Sequence, residues 1–206
     1  MRAVLENIVN IIKMANISNK AIQMPASAIR KLVPLADAAK KQGTKVYHLN
    51  IGQPDIKSPK CALDAIKNFS LENVSYSHSA GLMELRKGLV EKYYKKIGID
   101  ITVDELIVTV AGSESVNLAL EIACNPGDEV IVLEPFYTNY NTFAFMNGLT
   151  LKAISTDIKN GFQVPPIEEF EKAITDKTKA ILVCNPGNPT GTLYSKESML
   201  ALGEIA

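Results

Sequence analysis

The sequence has no excess of either charge, few cysteines and no long apolar run. Its 22 basic and 22 acidic side chains balance, so the chain lacks the positive field with which proteins attract nucleic acid or an acidic membrane surface. We therefore predict no nucleic-acid partner and favour a small-molecule partner. Because 47% of the residues are hydrophobic, the composition is that of a globular protein.

Cysteine is scarce, and the three thiols are far apart along the chain. Cys61, Cys124 and Cys184 form neither a C-x-x-C pair nor a cluster with histidine. This spacing predicts free thiols in a cytoplasmic protein, and it predicts no metal site.

The first 20 residues lack the pattern of a signal peptide, because acidic and amide side chains interrupt their apolar residues and no small-residue cleavage site follows. We predict no membrane segment. Four apolar residues recur at helical spacing: Val4, Ile8, Ile11 and Ile12. Residues 1–13 are expected to be either a short amphipathic helix or upstream sequence ahead of a start at Met14.

Short apolar runs rich in β-branched residues predict strands at 106–110, 130–133 and 180–183. These runs are too short for helices and are expected to be buried on both faces. The run at 149–154 alternates more and is expected nearer an edge. Helical patterns occupy the intervening stretches: 81–97, 114–124, 137–146 and 166–174. This alternation predicts an α/β fold with a mainly parallel sheet between helical layers.

The last segment begins a helix and gives no signal for its end. Ser195 is suited to be the N-cap, and Met199, Leu202 and Ile205 form an apolar stripe. No glycine, proline or basic turn precedes Ala206. We therefore expect the helix to continue and the chain to be the N-terminal part of a longer protein.

The segment VTVAGSES (108–115) places Ala111, Gly112 and Ser113 between a predicted strand and a helix. Free backbone N–H groups and the helix dipole at such a turn can bind phosphate, and glycine permits close approach. A strand-to-helix turn capped by serine explains the same residues without a ligand. The segment does not match the dinucleotide, P-loop or hydrolase glycine motifs.

Two more loops follow predicted strands, EPFYTNY (134–140) and CNPGNPTG (184–191). Ligands of open parallel sheets bind at the carboxyl ends of the strands, so both loops are expected at a ligand-binding edge. Two alternatives need no ligand. The proline-rich loop is then a rigid connection, and Tyr137 is a packing residue rather than a stacking surface.

Five motifs now stand in order: LNIGQPD (49–55), YSHSAGLMELR (76–86), VTVAGSES, GDEVIVLEPFY (127–137) and CNPGNPTG. Together they closely resemble the class I and II aminotransferases of fold type I. The resemblance implies a three-layer αβα large domain, incomplete here, whose N-terminal part is 51–206. It implies that 1–50 is an N-terminal arm with a segment of the small domain. The implied cofactor is pyridoxal 5′-phosphate.

The resemblance also implies roles for single residues. Ala111, Gly112 and Ser113 match the cradle of the cofactor phosphate. Tyr137 matches the aromatic residue that stacks on the pyridine ring. Asn188 matches the asparagine that hydrogen-bonds the phenolic oxygen of the cofactor.

Two further matches concern the substrate and the partner subunit. Gly52 matches a glycine whose backbone lies against the substrate carboxylate. Tyr76 matches a tyrosine that reaches the phosphate of the neighbouring subunit, which implies a homodimer. Asn185 is expected to be a structural residue of its loop. Arg86 and Asp55 belong to the motifs, and the resemblance leaves open whether they contact a ligand.

The implied reaction transfers an amino group between an amino acid and a 2-oxo acid. It needs a lysine that holds the cofactor as a Schiff base, and the family's serine-lysine motif is absent from this sequence. We expect that lysine after Ala206 and assign no catalytic residue in this chain, which alone should be inactive. Lys196 follows a serine, but it opens a predicted helix and is expected to be solvated.

Three alternatives remain open. A carbon-sulfur lyase or a synthase of the same fold would share every motif present here. A non-catalytic domain of a transcription regulator would carry a basic DNA-binding domain upstream, for which few residues are available. The chain could also be an interaction module or a misassembled half-domain.

We predict that the isolated chain is unstable or associates through an unpaired sheet edge. The resemblance implies more strands than the four predicted here, and an unpaired edge exposes backbone donors and acceptors. Sedimentation at micromolar concentration and thermal unfolding measure this. A monomer with one cooperative transition would contradict the prediction.

Overall fold

The computed structural model describes residues 17–27, 29–70 and 72–206. The helix considered for residues 1–13 and the start at Met14 lie outside the described residues. Contacts divide the chain into two compact units. The first comprises the described residues of Met1–Tyr47 with Ala119–Ala206, and the second those of His48–Leu118. The domain boundary near residue 50 stays a prediction.

The first unit is built on a parallel sheet. Its strands are β1 (Glu129–Glu134), β2 (Thr150–Ser155) and β3 (Thr178–Leu182), in the order β2-β1-β3. Both pairs are parallel. Three predicted strands are thereby confirmed, and the alternating run at 149–154 does lie at an edge of this sheet.

The α-helices of the described residues are, in chain order, α1 (Asn19–Gln23), α2 (Val33–Lys41), α3 (Lys60–Lys67), α4 (Met83–Leu89), α5 (Ala111–Ala123), α6 (Asn139–Met146), α7 (Ile167–Ala173) and α8 (Lys196–Ile205). Short 3₁₀ turns lie at Arg30–Leu32, Lys95–Ile97, Val103–Glu105 and Ile158–Asn160.

The predicted helices are confirmed, with shifted ends. The helix predicted at 81–97 begins as α4, continues through a π-helical turn at Val90–Tyr94, and ends at Gly98 with φ +76°. That left-handed conformation favours glycine. Helix α5 begins one turn earlier than predicted. Ser195 caps α8 as predicted, since its hydroxyl accepts the backbone N–H of Ser198 at 3.1 Å.

The prediction of a strand at 106–110 is wrong. Its backbone makes one hydrogen bond to a neighbouring segment, from Val108 N–H to the carbonyl of Ala80 at 3.0 Å. Ile107 is 67% and Val110 82% exposed. An apolar, β-branched run becomes a strand only beside a partner strand, and the described residues of the second unit offer none.

Both faces of β1 are covered. On one face, Ile131 and Leu133 pack with Phe170 of α7 and Leu202 of α8. Val130 and Val132 point to the other face because side chains alternate along a strand, and they are 0% and 2% exposed. The first unit therefore has a sheet between two layers, and the apolar stripe of α8 is used for packing.

One hydrogen bond joins the N-terminal arm to α6 within the first unit. The ammonium group of Lys20 donates to the carbonyl of Met146, the last residue of α6, at 2.5 Å. A cation at this position is stabilised by the partial negative charge of a helix C-terminus.

A buried arginine joins two segments of the second unit. Arg86 is 3% exposed, and its Nη1 donates to the carbonyl of Val103 at 2.8 Å. The turn that holds Val103 is closed by Glu105, whose carboxylate accepts the backbone N–H and the hydroxyl of Thr102. These bonds lower the pKa of Glu105.

We predict that Gly81→Ala lowers the free energy of unfolding by about 1–3 kcal/mol. Gly81 has φ +95°, and an added Cβ would lie 2.6 Å from the Cβ of Val108. Gly98→Ala is the matched control, because Gly98 also has positive φ but open space around its Cβ position. Urea unfolding measures both variants, and equal losses would show that the Val108 clash is unimportant.

Candidate active site

The predicted phosphate cradle lies at the start of α5, in the second unit. Ala111 adopts φ +61°, a left-handed conformation that is uncommon outside glycine. Its backbone N–H is already used, since it donates to the carbonyl of Thr109 at 3.0 Å. The carboxylate of Glu114 accepts the backbone N–H of Val110.

The next two backbone donors are free for a ligand. Among the described residues, no acceptor contacts the N–H groups of Gly112 and Ser113. Both residues are exposed, and a Cβ built on Gly112 would meet nothing within 4 Å. Neither local packing nor a positive φ therefore explains the glycine. Two adjacent free N–H groups, a serine hydroxyl and a helix N-terminus form a donor set that fits a phosphate group.

The other predicted residues of the second unit are open to solvent. Gly52 and Asp55 are exposed, and Tyr76 is fully exposed at 105%. Arg86 differs, because its buried guanidinium bonds a backbone carbonyl. That contact gives Arg86 a structural role in this unit.

The first unit brings together the loops that carry Tyr137 and Asn188. One loop follows β1 and the other follows β3, so the parallel pairing of these strands puts both at the same edge. The Tyr137 hydroxyl accepts a hydrogen bond from the amide of Asn139 at 2.7 Å. Its ring meets the ring of Tyr140 edge-on, with centroids 5.5 Å apart. The Asn188 side chain is exposed.

The proline-rich loop is held by its own hydrogen bonds. The side-chain oxygen of Asn185 accepts the backbone N–H of Tyr194 at 3.0 Å, as expected of a structural residue. Gly187 donates to the carbonyl of Thr192 at 2.8 Å. The peptide bonds that precede Pro186 and Pro189 are cis.

Tyr140 and Cys184 were missed by the sequence analysis. Both line a narrow space of about 10 Å³ beside Asn188. Burial, with the nearby Cys184 thiol as a second cause, raises the pKa of Tyr140 to about 12. Tyr140 could have been suspected from its place three residues after Tyr137, on the first turn of α6.

One cavity in the described part of the chain contains none of the predicted site residues. It measures about 330 Å³ and lies between Pro25–Ser27 and α6. Its lining is uncharged. The buried hydroxyl of Thr138 at its border has no hydrogen-bond partner within the described ranges.

Other features of the described residues bear on the remaining predictions. Lys196 is exposed on the first turn of α8, as predicted. No group of three His, Cys, Asp or Glu side chains in these ranges could hold a metal ion. The three cysteines are free. No helix in the same ranges is long and apolar enough to cross a membrane.

Comparisons with known proteins agree with the motifs and the fold. The family model for aminotransferase class I and II matches residues 44–206. The aspartate/prephenate aminotransferase of Thermus thermophilus is 34% identical over 94% of this chain and 50% of that protein. The aspartate aminotransferase of Thermotoga maritima is 31% identical over 92% of this chain and 50% of that protein.

A solved structure, the alanine aminotransferase from Pyrococcus furiosus, superposes with a TM-score of 0.82 at 38% identity. The match covers 93% of this chain and 49% of that one. The chain thus spans about half the length of the relatives it matches. With the parallel sheet between helical layers, the predicted three-layer α/β fold is confirmed. The chain belongs to the class I and II aminotransferases.

Proposed function

We propose that the protein containing this chain is a pyridoxal-phosphate-dependent aminotransferase that moves an amino group between an amino acid and a 2-oxo acid. The observation that carries this proposal is the pair of free N–H groups at Gly112 and Ser113, beside open space, in a chain of this family. A carbon-sulfur lyase or synthase of the same fold is the second candidate, but the relatives named above are aminotransferases.

The phosphate group would be held at the start of α5. Gly112 and Ser113 would each donate a backbone N–H, and the Ser113 hydroxyl would donate a third hydrogen bond. Bonds to a charged phosphate are stronger than bonds between neutral groups. Ala111 would shape the turn without donating to the phosphate, because its N–H is bonded to the carbonyl of Thr109.

The ring of the cofactor would be held by the loops of the first unit. Tyr137 would stack on the pyridine ring, and its hydroxyl is already held by the amide of Asn139. The exposed amide of Asn188 would donate to the phenolic oxygen. When bound, pyridoxal phosphate supplies an electron sink for charge that develops on the substrate α-carbon.

We further propose that the lysine that bonds the cofactor, an aspartate and a carboxylate-binding arginine lie in the part of the protein outside residues 1–206. Gly52 would lie against the substrate carboxylate. The relatives act, by their names, on aspartate, prephenate or alanine, so the amino donor of this protein is not assigned.

A homodimer with shared sites is the proposed assembly, with Tyr76 reaching the phosphate of the partner. The full exposure of Tyr76 supports this, as do Val74 at 92% and Leu49 at 97%, because large exposed apolar side chains favour an interface. The free thiols support a cytoplasmic location.

We predict that the complete polypeptide containing residues 1–206 transfers the amino group of an amino acid to a 2-oxo acid. Incubation with ¹⁵N-labelled amino donors and a set of 2-oxo acids, followed by mass spectrometry of the new amino acids, measures this. Release of ammonia or a thiol without a new amino acid would instead favour the lyase.

We predict that Ser113→Val weakens binding of pyridoxal 5′-phosphate to the complete polypeptide containing residues 1–206 by about ten- to a hundredfold, the value of one hydrogen bond to a charged group. Ser113→Thr is the matched control, because threonine has the shape of valine but keeps the hydroxyl. We expect it to bind within about twofold of the unaltered chain. Phosphorus NMR titration measures all three affinities. Equal affinity of the two variants would place the phosphate elsewhere.

A further inference from the structure

We propose that Glu114 is a positioning residue for the phosphate seat. Its carboxylate accepts the backbone N–H of Val110 and so fixes the turn from which Gly112 and Ser113 present their own N–H groups. This inference rests on the proposed function, because it assumes that these two donors bind the cofactor phosphate.

The first turn of a helix has several backbone N–H groups without a helical acceptor, and any of them can compete for a ligand. At the start of α5, some of these N–H groups bond acceptors within the chain and the others are left for the ligand. Val110 N–H donates to the Glu114 carboxylate at 2.5 Å, and Ala111 N–H donates to the carbonyl of Thr109 at 3.0 Å. The chain uses these two donors, and the N–H groups of Gly112, Ser113 and Glu114 have no acceptor among the described residues.

A second contact, between two side-chain hydroxyls, holds the same turn. The hydroxyls of Ser115 and Thr109 are 2.6 Å apart, and the Thr109 hydroxyl donates to the carbonyl of Ala111 at 3.0 Å. Ser115 is therefore the donor to Thr109. The Ser115–Thr109 contact ties the turn through its side chains, whereas Glu114 ties it through the backbone of Val110.

The conformation of Ala111 explains why such ties are needed. Its φ of +61° is disfavoured for a residue with a Cβ, and such a conformation persists only where neighbouring contacts fix it. If Glu114 released Val110, Ala111 could relax toward negative φ. The peptide groups that follow would then rotate, and the N–H groups of Gly112 and Ser113 would no longer converge.

The charge of Glu114 opposes its geometric role. A carboxylate is stabilised at a helix N-terminus, but the same carboxylate repels a phosphate bound there. A side chain that keeps the acceptor oxygen without the charge should therefore hold the turn and bind phosphate at least as well. Glutamine at position 114 meets both conditions, whereas alanine removes the acceptor oxygen together with the charge.

The experiment compares Glu114→Gln and Glu114→Ala in the complete polypeptide containing residues 1–206, prepared without cofactor, with inorganic phosphate and pyridoxal 5′-phosphate as separate probes. We expect Glu114→Ala to bind each probe about tenfold or more weakly. We expect Glu114→Gln to bind equally or up to about fivefold more tightly, the size of a surface charge effect. Phosphorus NMR gives the affinities, and ¹⁵N spectra report the amide signals of Val110, Gly112 and Ser113.

The matched control is Glu121→Ala, which removes an exposed carboxylate from the same helix away from the turn. Circular dichroism tests whether each variant keeps its helices. If Glu114→Ala loses them, Glu114→Gln is compared with the unaltered protein alone. Phosphate binding unchanged in Glu114→Ala, or lost equally in Glu114→Gln, would overturn the inference. If the unaltered chain binds neither probe and its Gly112 and Ser113 signals do not move, the proposed phosphate seat itself is wrong.

Discussion

Because β1 pairs in parallel with both β2 and β3, the chain must leave the carboxyl end of each strand at the same edge before it returns. That requirement puts the loop with Tyr137 and the loop with Asn188 side by side. It also requires connections that return the chain between the strands. Helix α7, between β2 and β3, and helix α8, after β3, bury the apolar face of β1 that carries Ile131 and Leu133. The proposed ring-binding loops of the first unit therefore follow from strand direction.

The fold could be predicted from the sequence wherever an element is defined by its own composition. The runs at 130–133 and 180–183 are apolar on both faces, as strands covered on both sides must be, and Ser195 and Gly98 mark helix ends through their own chemistry. The run at 106–110 has the same composition but no partner strand among the described residues. Composition reports that a segment is suited to burial, whereas pairing depends on another segment.

The candidate site shows the same distinction. The order of the motifs was enough to predict which residues belong to the cofactor region, and these assignments remain proposals. The sequence could not predict how the donors of the first turn of α5 are divided. The N–H of Ala111 is used within the chain, and the acceptor for Val110 lies four residues later, on Glu114. Such details depend on φ at one residue and on one side-chain rotamer, and no pattern in the sequence reports them.

The contact between Lys20 and Met146 has a mechanical consequence. Helix α6 has eight residues and is about 12 Å long at 1.5 Å per residue. The N-terminal arm is attached to one end of this rod, and the backbone of the other end leads directly from Tyr137. The arm, whose Lys20 lies 117 positions before Tyr137 in the sequence, is thus linked through one short helix to the segment that carries the aromatic ring.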